Sequence, residues 1–222
     1  MMVCAVISTQ NSADHIESIV LRTRAILEPD IFVLDHESTD DTVAIARASG
    51  AQILSSESDS KGLMISALEQ IQNLGFTHAV FLNANNASHV PEQIPMFVNA
   101  VWQSPHCIFV AQSKGTRRST VSNALLSAGA LRTIKDAWNN FRIYPVEDIL
   151  ALNCKEDGEH FAPEALVRAS WAGIHTKHLE LDASCPIEHE IAQSPQALFL
   201  SVKLLGGMLI RFPALLRRRL AL

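Results

Sequence analysis

Short apolar runs alternate along the first half of the chain with longer stretches whose apolar positions recur at helical spacing. Residues 3–8 (VCAVIS), 31–34 (IFVL), 51–54 (AQIL), 77–82 (THAVFL) and 107–111 (CIFVA) read as strands. The most apolar of these suit a sheet covered on both faces. Between them, residues 13–27 space Ile16, Ile19, Val20, Ile26 and Leu27 as one helix face, and Pro29 ends it. A second helix is predicted over residues 39–49, with Gly50 as its stop, and a third opens at Lys61-Gly62 and runs to Asn73. Pro91 starts a fourth, running towards Trp102. Strict alternation of this kind predicts an α/β fold with parallel pairing and right-handed crossovers.

The pattern loosens after residue 112. Residues 114–118 form a basic loop, 120–134 a helix, 141–145 a strand or extended edge, 163–172 a helix stopped by Gly173, and 174–180 a strand. Prolines and charges mark 182–195 as a linker, and the segment 196–222 is apolar, then abruptly basic. The expected organisation is one domain over 1–181, with a nucleotide-binding half over 1–112 and a second half over 113–181, then the linker and the tail.

Composition narrows this picture. A chain of 222 residues that is 48% apolar can bury the core of one α/β domain. A net charge of −5 gives no basic field, so nucleic acid is not an expected partner. Cys4, Cys107, Cys154 and Cys185 are scattered, with no CxxC pair, and read as reduced thiols of a cytoplasmic protein. The first residues lack a basic n-region, and their apolar run is too short for a signal peptide. No segment reaches the ~20 uninterrupted apolar residues of a spanning helix.

Candidate chemistry concentrates where the second strand ends, in IFVLDHESTDDT, residues 31–42. Asp35 falls at the carboxyl end of that strand, where open α/β sheets bind ligands. Ser38 or Thr39 is expected to cap the following helix, with Asp40 and Asp41 in its first turn. The same residues also read as strand, turn and cap with no ligand at all.

Several segments in order resemble the family 2 glycosyltransferases, especially the dolichyl-phosphate-mannose-synthase-like branch. The family's Pro-x-x-Asn-Glu loop is matched around Asn11, and its Val-Asp-Asp-Gly-Ser-Thr-Asp-x-Thr segment by Leu34 through Thr42. Its Gly-Lys-Gly is matched by Ser60-Lys61-Gly62, and its Asp-x-Asp with His-x-Pro-Glu by Asn83-Ala84-Asn85 and His89-Val90-Pro91-Glu92. Further on, Gly-Ser-Arg is matched by Gly115-Thr116-Arg117, and Asp-x-x-x-Gly-Phe-Arg by Asp136 through Arg142. The family's Glu-x-Leu helix is matched from Glu164 to Gly173.

The resemblance implies a GT-A fold, a mostly parallel sheet flanked by helices, with amphipathic helices after it. It implies an inverting transfer of a sugar from a nucleotide-sugar donor to a lipid-linked or hydrophobic acceptor. Nucleotide contacts fall to Asp35, Glu37, Lys61 and Asn11, although His36 replaces the second acid and Glu37 the glycine. Arg117 and Arg142 fall to the diphosphate or an acceptor phosphate, and Asp136, then Glu164, to the general base. Asp136 can equally pair with Lys135 or Arg142, and Glu164, just after Pro163, can equally favour a helix start.

The family's acids hold Mg²⁺ or Mn²⁺ through anionic oxygens. Here amides stand at Asn83 and Asn85, and a register shifted by one gives Ala84 and Asn86, again with no carboxylate. His89 is a further candidate near the metal position, or a loop residue. Two accounts follow. Either cationic side chains such as Lys61, Arg117, Arg118 and Arg142 replace the metal, or catalysis is lost and the chain binds a nucleotide or a partner enzyme.

In the tail, Lys203 interrupts the apolar run, Pro213 is expected to kink it, and Arg217-Arg218-Arg219 closes it. The expected form is a pair of interfacial helices on an anionic membrane surface, peripheral on its inner face. The alternative is a helix packed on the domain or on another subunit of a homo-oligomer.

Overall fold

The structure is a computed structural model, and it describes residues 1–27, 30–54, 62–85, 90–113, 121–181 and 194–220. Strands β1 (Val3–Thr9), β2 (Ile31–Asp35), β3 (Gln52–Leu54) and β4 (His78–Asn83) alternate with helices α1 (Ala13–Arg24), α2 (Thr42–Ala48) and α3 (Leu63–Asn73). After a 3₁₀ turn, Pro91–Gln93, come α4 (Ile94–Gln103), β5 (Cys107–Ser113), α5 (Val121–Ala130), β6 (Arg142–Pro145) and α6 (Val146–Ala151). A second 3₁₀ turn, Gly158–His160, leads into α7 (Phe161–Ala172), β7 (His175–Leu181) and α8 (Pro195–Leu220).

The seven strands form one sheet in the order β3-β2-β1-β4-β6-β5-β7. The first four pair in parallel, as their alternation with helices dictates. Expected as a strand or extended edge of a mostly parallel sheet, β6 instead enters its interior, antiparallel between β4 and β5. Register sets Phe81, Arg142, Val110 and His178 side by side on one face of the sheet.

Two apolar layers cover the sheet. One packs Ile16, Ile19 and Val20 of α1 with Ile94, Phe97 and Val101 of α4. The other packs α3, α5, α6, α7 and α8, with Leu68, Leu126, Ile149 and Leu166 fully covered. Cys4, Cys107 and Cys154 form no disulfide, and burial pushes the Cys154 thiol up to about 12.

Two local expectations are corrected. Helix α2 begins at Thr42, three residues after Thr39, with Asp41 at its cap position and no acid in its first turn. The Asp40 carboxylate instead accepts from the Thr42 backbone at 3.1 Å, from the Thr42 hydroxyl, and from the Ala13 backbone at 3.2 Å, closing a turn ahead of the helix. Those bonds, first the one from the Thr42 hydroxyl, hold its carboxyl below the usual range. At the other end, one helix spans Pro195–Leu220, through Pro213, where a kinked pair was expected. A proline removes one helix hydrogen bond but need not end a helix.

The start of α8 lies against α5. Ala197, Leu200 and Leu204 are buried, Ser201 and Ser122 share a hydrogen bond at 3.0 Å, and a Cβ on Gly129 would sit 3.4 Å from the Leu205 Cα. Glycine at 129 therefore sets how closely the two helices approach. The other side of α8 exposes Leu198, Phe199 and Val202, Phe199 at 73%. No helix among the described residues is long and apolar enough to cross a membrane.

Candidate active site

The carboxyl ends of β1 and β4 and the start of β6 enclose a cavity of about 320 Å³. Its two walls are built differently. The first carries Ser8, Gln10, His36, Asn83 and Asn85; the second carries Arg142, Tyr144, Glu159 and Phe161.

On the first wall, side chains close upon one another. Asn11, at φ +48°, accepts from the Thr39 backbone at 2.8 Å and from its hydroxyl at 3.3 Å, while its own N–H donates to Ser38 Oγ at 2.9 Å. The Asp35 carboxylate accepts from the Ser38 backbone at 3.1 Å and from the Ser38 hydroxyl. Those are the bonds of the turn, one of the two readings of its sequence. Glu37 takes φ +57° and is exposed, a left-handed backbone that ordinarily favours glycine. Of this segment it is His36 that lines the cavity, its Nε2 3.0 Å from Ser8 Oγ. Asp35, Glu37 and Asn11 stand behind that surface.

The tip of β4 is equally committed. Asn83 Oδ1 accepts from the Asn85 backbone at 2.9 Å. Asn85 Oδ1 accepts from the Ser12 hydroxyl, and Asn85 Nδ2 donates to the Gln10 carbonyl at 2.8 Å. A hard divalent cation needs several oxygen ligands, preferably anionic. Both amide oxygens here already accept hydrogen bonds, and neither is charged. No cluster of three or more His, Cys, Asp or Glu among the described residues could hold a metal. The residues at this tip do not fit a divalent cation.

The second wall is the reverse. Arg142 is 1% exposed, and its guanidinium lies 5.9 Å over the Tyr144 ring. One bond holds it, from Nη2 to the Ala137 carbonyl at 3.2 Å. Among the described residues its Nε and Nη1 and the Tyr144 hydroxyl are buried with no hydrogen-bond partner. Burial raises the Tyr144 hydroxyl, against the pull of Arg142. Across Val110, His178 is held below its ordinary value, first by burial and then by Lys135 and Arg142. Among the described residues Arg142 is the cation that lines the cavity and Glu159 the carboxylate.

The two candidate bases lie elsewhere. Glu164 is 2% exposed, and its carboxylate accepts from the backbones of Lys155 and Glu156, both at 2.7 Å, and from Arg168 Nε at 2.6 Å. It ties the segment before α7 to the helix. Asp136 sits at φ +49° in the turn before β6, where its carbonyl accepts from Asn139 N at 3.1 Å. Neither lines the cavity; among the described residues Glu159 is the carboxylate that does. Lys61, Arg117 and His89 lie outside the described residues.

Several of these features escape sequence reading. Asp157 accepts from the backbones of Leu63 at 2.7 Å and Met64 at 3.0 Å, so it caps α3 from far along the chain. A Cβ at Gly62 would meet Asp157 Cγ at 3.1 Å, which explains the glycine there. Gly158, at φ +54°, then turns Glu159 and Phe161 towards the cavity. The available signal was the Asp157-Gly158 pair ahead of the 163–172 helix pattern.

No protein-family model matches the sequence, and no curated protein does. Solved structures do. Glucosyl-3-phosphoglycerate synthase from Mycobacterium tuberculosis, in complex with phosphoglyceric acid, superposes with a TM-score of 0.73 at 18% identity, covering 92% of this chain and 80% of its own. The same enzyme with Mg²⁺ and uridine diphosphate gives 0.71 at 18% identity, over 92% and 79%. A mycobacterial protein gives 0.72 at 19% identity, over 92% and 75%. The architecture is the GT-A glycosyltransferase fold, a mostly parallel sheet flanked by helices.

Proposed function

We propose that this chain is a family 2-like glycosyltransferase of the hexosyltransferase type that moves a sugar from a nucleoside-diphosphate sugar to a lipid-linked or hydrophobic acceptor. The observation that carries the reading is Arg142, a buried guanidinium on the wall of a cavity whose Nε and Nη1 have no partner among the described residues. A buried charge without hydrogen bonds is costly, and an anion in the cavity removes that cost. Fold and position support a diphosphate as that anion, since open α/β sheets bind such ligands at the carboxyl ends of their strands. The structural neighbours include one crystallised with uridine-diphosphate-glucose and glycerol 3-phosphate.

The chemistry assigned to each wall follows from its groups. As the bond to the sugar breaks, negative charge grows on the departing diphosphate, and Arg142 donates to it from a site closed to water. The nucleoside lies against His36 and Ser8, with Asp35 and Asn11 holding the loops behind them. A phosphate acceptor, already anionic, needs no base. For a hydroxyl acceptor Glu159 is the carboxylate within the cavity that can take the proton. The exposed Leu198, Phe199 and Val202 of α8, followed by Arg217-Arg218-Arg219, support docking on an anionic membrane surface beside a lipid-linked acceptor.

The amide tip of β4 favours a second reading, a protein that binds the nucleotide without turning it over. Calorimetric titration with UDP and GDP, then assay of donor hydrolysis and transfer, separates the two. Binding lost about a hundredfold in Arg142→Met supports the site. Binding unchanged in that variant removes it.

A further inference from the structure

We infer that the nucleoside diphosphate is held here without a divalent cation, by Arg142, because Asn83 and Asn85 form a neutral hydrogen-bonded lock between two strand tips. The inference rests on the proposed nucleotide site and specifies how its charge is balanced. Asn85 works with both ends of its amide. Its oxygen accepts from the Ser12 hydroxyl while its nitrogen donates to the Gln10 carbonyl at 2.8 Å. A carboxylate has no donor, so aspartate at 85 would set an anionic oxygen against the Gln10 carbonyl oxygen.

The lock extends beyond that pair. Ser12 Oγ accepts from Thr9 Oγ1 at 2.7 Å, and the Ser12 backbone donates to Thr42 Oγ1 at 2.7 Å, tying β1 and α2 into the same lattice. Asn83 Oδ1 fixes the turn by accepting the Asn85 N–H. These amides are built into the fold as amides: each oxygen already gives a lone pair to the loop after β1 or the turn after β4, and what is left for a cation is neutral. Among the described residues the cation lining the cavity is Arg142, on β6 beside Phe81 of β4, and its buried Nε and Nη1 have no partner there. A guanidinium meets a diphosphate through paired N–H···O bonds and needs no metal to bridge them.

The test is titration of the full chain with UDP and with GDP, once with excess EDTA and once with excess Mn²⁺. The inference predicts affinities that agree within about fivefold, a difference near 1 kcal/mol. A larger gain with Mn²⁺ overturns it and leaves the proposed site intact. No binding under either condition, by protein that melts cooperatively, removes the site itself and the inference with it. The Asn85→Asp variant gives an independent reading through thermal melting with and without Mn²⁺. The lock predicts a lower melting temperature that Mn²⁺ does not restore; an equal or higher melting temperature, or rescue by Mn²⁺, contradicts it.

Discussion

On one wall of the cavity, Asn83, Asn85, Ser12 and Gln10 close upon one another, and Asp35 is bonded to Ser38. Elsewhere in its lining, Arg142 and Tyr144 are as buried as any core residue yet keep polar atoms with no partner among the described residues. The first arrangement is what stability alone produces, since buried polar groups are nearly always paired. The second is what stability alone removes. On the proposed reading, the polar side chain left unpaired inside the cavity is where the ligand binds, and the acids and amides satisfied by their neighbours are how the loops are held.

That contrast can be broken by substitution. Glu164→Ala should have the largest effect, a loss of about 3–5 kcal/mol in urea denaturation, because it strands Arg168 and two backbone N–H groups. UDP affinity should be unchanged; a loss of binding with stability intact would move Glu164 into the site. Arg142→Met should do the opposite, raising stability by about 1–3 kcal/mol while binding is lost, since methionine follows the aliphatic stem without the unpaired charge. A destabilised Arg142→Met that still binds UDP would reverse the roles of the walls.

Asn85→Asp should cost about 1 kcal/mol, a smaller loss because the residue is exposed. The weakest effect expected is a pH slope. Folding holds His78 and His178 below their ordinary values, in each case first by burial. The unfolded chain protonates them near pH 6.5 while the fold keeps them neutral. Their contribution is thus present above that pH and is lost as pH falls through it. Saturating UDP should flatten the part due to His178, because an anion beside Arg142 favours the protonated ring. A slope through the same range that rises towards acid would contradict the assignment.

Much of this was legible in the chain. Apolar runs such as IFVL and THAVFL become β2 and β4, and Gly50, Gly75 and Gly173 stand at positive φ close after α2, α3 and α7. Arg142 stood out from its place in a family segment. What escaped depends on contacts distant in sequence. The antiparallel entry of β6 has no periodic signature, and α6 is too short to show one. The cap that Asp157 gives to α3 spans 94 residues. Whether an acid such as Glu164 ties a fold or performs chemistry is decided by its partners, which one sequence does not display.

The most direct measurement is a crystal structure of the protein soaked with UDP. The account predicts diphosphate oxygens within hydrogen-bonding distance of Arg142 Nε and Nη1, with the Asn85 amide still bonded to Ser12 and Gln10. Diphosphate bound away from Arg142, or bridged to Asn83 and Asn85 by a metal ion with that lattice opened, would contradict it.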